Sequence, residues 1–271
     1  ATHRANNFVS TRSLLGRMQG MITNLGKSVI EDTKNGEVEP NRNQTRYKYS
    51  PAHQDVAVCC NPNAGRITPY FLEYSWLKEN EITLVSALLC PNILTTNIHK
   101  KPITIALLTA YPSEHKLVYA IKNTNKANFV IKIRKPSWAT AIVTKEKYTI
   151  EDEFIKIDRN FSVADTIQIE FKTQIRIKED AKHEKYFSYG ALIYAKPIAA
   201  EEQKGKTYLI GFDDLVYKAK SKEHYEFIEN NNAAFENNRI KLNLKNTISN
   251  QIEEISLIPF GKTILRQVSF K

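Results

Sequence analysis

Apolar and polar positions follow two different periods along this chain. Leu14, Leu15, Met18, Ile22 and Leu25 recur at helical spacing, with Ser10 or Thr11 suited to the N-cap and Gly26 to the stop. Residues 31–55 read as a long polar loop through Asn35-Gly36, Pro40 and Asn41 to Ser50-Pro51. Loops of that length usually carry function or pack on something. A second helical stripe follows at Ile67, Tyr70, Phe71, Tyr74 and Leu77, ending at Lys78-Glu79-Asn80.

From Glu81 the period changes to two. Phe129-Val130-Ile131-Lys132-Ile133-Arg134 alternates until Lys135-Pro136 breaks it, and Ile167-Gln168-Ile169-Glu170-Phe171-Lys172 alternates as strictly. Ile82–Leu89, Ile103–Ala110, Phe154–Ile157, Ala191–Ala195 and Tyr208–Ile210 fit further short strands. Residues 221–238 are polar and rich in asparagine and read as an exposed excursion. Ile240–Leu244 and Thr263–Phe270 then restore the alternation. The pattern predicts a mainly β chain: an antiparallel β-sandwich or barrel over 80–271, preceded by a helical segment over 1–79. Two helices and a loop cannot bury both their faces, so that segment reads as the remnant of a larger helical domain.

Composition narrows the partners. The chain has 271 residues, is 42% hydrophobic and 25% charged, and can build a substantial core. Its longest apolar runs stop well short of the roughly 18–20 residues of a membrane helix, so no membrane partner is expected. No charged-then-apolar leader opens the chain, so any export signal is expected to be absent or lost. The net charge is +10, from 39 Lys and Arg against 29 Asp and Glu. Those cations are dispersed among acids and apolar residues, with no run of five, so a basic surface is expected rather than a nucleic-acid interface.

The three cysteines cannot form a disulfide framework. Cys90 ends an apolar stretch and reads as a small core residue. Cys59 and Cys60 are adjacent and are followed by Asn61 and Pro62, a good N-cap and first-turn pair. Thiols at a helix N-terminus are favoured as thiolates, the form that binds metal or attacks carbon. Two thiolates fill half of a zinc shell, for which His53 and Asp55 are local candidates. Buried structural cysteines are the competing interpretation. Arg66 could clamp a carboxylate or stand in solvent. Tyr47, Tyr49 and Tyr70 suit core packing or stacking on a sugar. Trp138 suits a sandwich core or a domain anchor, His115 a surface or loop role, and Asp158, Asp165 and Glu170 a solvated strand face.

Ser50-Pro51, His53 and Cys59-Cys60-Asn61-Pro62-Asn63-Ala64-Gly65-Arg66 resemble the Cys-Cys-x-Pro-Asn-x-x-Arg signature of glycoside hydrolase family 127, the β-L-arabinofuranosidase-like group. The resemblance continues in order through Ile131–Ala139, Phe154–Phe161 with Asp165, Tyr189–Ala195 and Leu257–Thr263. It implies an (α/α)6 barrel carrying the active site, followed by β-sandwich modules. It also implies a zinc held by cysteines and a glutamate, which tunes one cysteine as nucleophile of a retaining mechanism, with a separate glutamate as acid/base. Carried over, Cys59 is nucleophile and metal ligand and Cys60 a second metal ligand. His53 and Arg66 are separate candidates for contacting substrate, a loop histidine in a structural hydrogen bond being the other reading of His53.

The family's Glu-x-Cys motif and its acid/base lie upstream of the vicinal pair, and no Glu-x-Cys occurs in this sequence. The expectation is therefore a C-terminal portion: a cut-down or truncated product, or a chain completed by another. It would belong to an enzyme acting on plant-type polysaccharide or oligosaccharide but be silent alone. A non-catalytic module holding glycan or a partner chain is the rival, and a thiol- or metal-handling protein a third possibility. A periplasmic or extracellular setting is slightly favoured over the cytoplasm.

Overall fold

The computed structural model describes residues 67, 69–123, 126–209 and 212–271. Ten strands come first: β1 (Trp76–Asn80), β2 (Thr83–Ser86), β3 (Asn92–Ile98), β4 (Lys101–Leu108), β5 (Lys116–Asn123), β6 (Ala127–Arg134), β7 (Ala141–Val143), β8 (Thr149–Glu151), β9 (Phe154–Phe161) and β10 (Ala164–Lys172). They form two five-stranded sheets, ordered β1-β2-β6-β9-β8 and β3-β4-β5-β10-β7. Every pairing is antiparallel except β2 with β6.

Strict alternation is what makes these strands a sandwich. Side chains on a strand point to opposite faces in turn. In β4 the inward set is Ile103, Ile105 and Leu107, in β6 Phe129, Ile131 and Ile133, and in β10 Ile167, Ile169 and Phe171, all buried. These residues join one contiguous core drawn from both sheets. One edge of it is polar but paired: Tyr119 and Ser86 share a hydroxyl–hydroxyl bond of 2.9 Å, and burial holds the phenol well above its ordinary pKa. The Trp76 indole stands edge-on to Tyr119 with ring centroids 5.9 Å apart and donates to Asn92 Oδ1 at 2.7 Å.

The second helical stripe is shorter than its periodicity suggests. Helix ends at Glu73, a turn covers Tyr74 and Ser75, and β1 begins at Trp76. Trp76 is drawn into the sheet by its register opposite Ser86 of β2, so long-range pairing overrides the local helical spacing of Leu77. The earlier helical stripe and the long loop lie outside the described residues.

The remaining strands are β11 (Ile175–Glu179), β12 (Lys185–Tyr189), β13 (Leu192–Ile198), β14 (Ala200–Leu209), β15 (Phe212–Ala219), β16 (Tyr225–Glu226), β17 (Ala234–Glu236), β18 (Arg239–Asn246), β19 (Ile252–Pro259), β20 (Leu265–Gln267) and β21 (Ser269–Phe270). A larger sheet runs β11-β12-β13-β19-β18-β16, with β17, β20 and β21 pairing onto β18, β13 and β12. Strands β14 and β15 pair with each other as a hairpin.

The described chain divides into two compact units, 69–177 with 188–192, and 178–187 with 193–271. The second unit has its own interior, including Phe187, Tyr194, Leu242, Leu257 and Phe270. Residues 221–238 are mostly exposed or partly exposed and outside strands, but the segment is tied to the sheet where β16 and β17 pair with β18 and where Tyr225 and Asn231 are buried. Asparagine is used there for turns, with Asn232, Asn237 and Asn238 at positive φ, a conformation asparagine tolerates well. Among the described residues no helix is long and apolar enough to cross a membrane.

Gly190, at φ +59°, joins β12 to β13. A Cβ there would lie 2.2 Å from His115 Nε2. Gly190→Ala should therefore lose about 1–3 kcal/mol of stability from backbone strain alone, read by denaturant unfolding. His115→Ala in the same chain should recover the steric part of any further loss.

Candidate functional site

Cys59, Cys60, His53 and Arg66, the residues to which the sequence assigns chemistry, lie outside the described residues. Tyr47 and Tyr49 do as well. Tyr70, which suited the core, is exposed with its neighbours Phe71 and Leu72. Cys90 is partly buried and unbridged; the Asn92 side-chain amide approaches its Sγ at 3.6 Å. No group of three or more His, Cys, Asp or Glu side chains among the described residues could hold a metal ion.

Polar chemistry in the first unit gathers instead on the outer face of β10. Because Ile167, Ile169 and Phe171 point inward, Thr166, Gln168 and Glu170 point outward. Lys116 on β5 and Val143 on β7 flank Glu170 in register. Strand β7 then stops, and residues 144–146 leave the sheet while β10 continues. A groove of about 390 Å³ opens along this step, lined by Lys116, Thr144, Lys145, Glu146, Gln168 and Glu170 among others.

The wall at 144–146 is tied down from two sides. Thr144 Oγ1 donates to the Gln168 carbonyl at 2.7 Å, and Arg159 Nε on β9 donates to Glu146 at 2.9 Å. The same guanidinium reaches Asp165 through Nη1 at 2.7 Å and Nη2 at 3.1 Å, a two-pronged geometry that favours Arg over Lys. Its carbon also sits 4.3 Å from the Phe161 ring centroid. Asp165 further accepts from the Ser162 and Thr166 amides. With Arg159 as the main cause, its pKa is held down to about 2. Asp165 is thus a structural ion-pair member and not a solvated strand residue. Asp158 is exposed, and Glu170 pairs with Lys172 on its own strand.

His115 lies in the loop just before β5, one of the two roles its sequence suggests, but with its ring partly buried. Its ring lies 4.6 Å from Trp138 and 5.5 Å from Tyr189, centroid to centroid. Burial lowers its pKa, with Glu170 acting in the opposite direction. Trp138 is a core residue of the sandwich, stacked on Tyr111 and edge-on to Phe171. Glycine at 190 leaves the volume that the His115 ring fills. The spacing of Gly190 and His115 in sequence holds no signal of this, since 75 positions separate them.

Asp165 is ionised more readily in the fold than in the unfolded chain. Its contribution is complete above its unfolded pKa, about 3.9, and is lost as pH falls through the folded value of about 2. Asp165→Asn should lower stability at neutral pH and remove this part of the acid-side slope. Urea unfolding between pH 7 and pH 2 would show both effects, and an unchanged slope would exclude the ion pair as its source.

Residues 83–173 match the family model described as beta-L-arabinofuranosidase, GH127 middle domain. The chain is similar in structure to a GH127 beta-L-arabinofuranosidase from Geobacillus stearothermophilus T6, at TM-score 0.51 and 15% identity over 94% of this chain and 45% of that one. A protein described as a glycoside hydrolase aligns at TM-score 0.54 and 16% identity, covering 79% and 39%. A GH127 beta-arabinofuranosidase aligns at TM-score 0.50 and 15% identity, covering 75% and 36%. No curated protein matches the chain in sequence. At such identities the structural likeness speaks for the fold, and the chain spans less than half the length of each of these structures. The family match falls on the sandwich itself and agrees with the motifs read from the sequence: residues 83–173 are similar to the GH127 middle domain, consistent with a GH127 portion.

Proposed function

We propose that this chain is part of a glycosidase that, when complete, cleaves arabinofuranoside-type bonds in plant-type polysaccharide or oligosaccharide. The observation that supports it is the run of exposed apolar side chains leading into β1. Ile67, Tyr70, Phe71, Leu72, Tyr74 and Leu77 are each 43–55% exposed, six large apolar side chains within eleven positions. Exposed apolar surface of this density marks an interaction site. It suits packing against a larger helical body, and it begins one residue after the Cys59–Arg66 signature ends.

In that enzyme the Cys59 thiolate attacks the anomeric carbon while an acid group protonates the departing oxygen. Water assisted by the same group then releases the sugar from sulfur, with retention. Cys60 would supply a second sulfur to a zinc ion bound there, and His53 and Arg66 would contact the sugar. Zinc bound there would keep the thiol ionised at neutral pH. Two sulfurs make half of a tetrahedral shell. The remaining ligands, whose Glu-x-Cys motif does not occur in this sequence, and the proton donor are assigned to a part of the protein beyond these 271 residues or to another polypeptide. The 271-residue chain alone is therefore silent.

An aryl arabinofuranoside separates the outcomes. The complete protein should release aryl alcohol, and Cys59→Ala should reduce kcat by on the order of 10³-fold or more. The 271-residue chain should release none. Turnover by this chain that Cys59→Ala abolishes would overturn the assignment of the remaining machinery elsewhere. Full activity in the complete Cys59→Ala protein would overturn the nucleophile.

A further inference from the structure

We infer that the groove on the outer face of β10 is a binding site for a carboxylated sugar chain, a function separate from bond cleavage. Its volume of about 390 Å³ is in the range of small-molecule sites, roughly 300–1,000 Å³. Its walls are set before any ligand arrives, because Thr144 and Glu146 are anchored to β10 and β9.

Charge selects the ligand. The two acids in the lining each have a cation, Glu146 sharing Arg159 with Asp165 and Glu170 pairing with Lys172. Lys116 and Lys145 line the groove and are exposed, and neither has an acidic partner among the described residues. With their ion-pair neighbours counted, Lys116, Lys145, Arg159 and Lys172 stand against Glu146, Asp165 and Glu170, so the groove carries a small positive surplus, and the two ammonium groups that line it lie outside those ion pairs. Thr166 and Gln168, also in the lining, add a hydroxyl and an amide that can donate to and accept from sugar hydroxyls. Ammonium groups for carboxylates beside an amide and a hydroxyl for alcohols match a uronic-acid chain better than a neutral glycan. They match it better than an acidic peptide too, which would leave the hydroxyl-binding groups unused. The site does not involve Cys59 and stands whether or not the chain is part of an arabinofuranosidase.

Calorimetric titration with a galacturonate oligosaccharide, a neutral arabinan oligosaccharide and poly-glutamate tests this. Galacturonate should bind saturably and weaken as salt rises. The double variant Lys116→Ala/Lys145→Ala should bind at least tenfold more weakly, while Lys116→Arg/Lys145→Arg keeps binding. Gln168→Ala should weaken galacturonate, and Cys59→Ala should leave it unchanged. Absence of galacturonate binding, equal binding of neutral arabinan, or poly-glutamate binding as tight as galacturonate would each overturn the inference. Loss of hydrolysis in the complete protein with galacturonate binding intact would count against the proposed enzyme alone.

Discussion

One apolar layer between two sheets carries the first unit. Ile105, Tyr119, Ile131, Ile157 and Ile169 come from five strands and two sheets and are essentially inaccessible to water. A shift of one residue in any of these strands would turn its whole apolar set outward. The core therefore fixes register, and register fixes which side chains appear outside. Thr166, Gln168 and Glu170 are presented together because Ile167, Ile169 and Phe171 are buried together. The groove is in this sense the reverse side of the core.

Ionic contacts act on a second level, shaping the surface that the core presents. Arg159 bonds two carboxylates, on either side of it in sequence, with its side chain 31% exposed. Exposed ion pairs contribute little each, but a two-pronged arginine shared by two acids is the geometry in which they count. Here it sets where residues 144–146 leave the sheet. Asp165 owes its low pKa to the same contact, so one side chain couples a local shape to acidity.

Much of the sandwich was legible in the sequence where alternation was strict. Phe129–Arg134 and Ile167–Lys172 fall within β6 and β10. Legibility failed where pairing decides conformation. Leu77 fits a helical stripe, yet its neighbour Trp76 is needed beside Tyr119 and opposite Ser86. Residues 221–238 look polar because their few apolar anchors, such as Tyr225, are spaced between turns. The groove has no local signature: it arises where β7 ends against β10, through a bond between Thr144 and Gln168, 24 positions apart. The vicinal cysteines were the opposite case, legible as chemistry at once and situated outside the described residues.

The hairpin of β14 and β15 adds a different kind of property. Its strands join no other described strand, and a bond of 2.9 Å from Lys220 N to Ala199 O closes its base. Chain entering and leaving at adjacent points can be lengthened or shortened at small entropic cost. This arm is therefore a place where evolution can vary the protein's outline freely, trying new surfaces while every ladder of the larger sheet stays as it is.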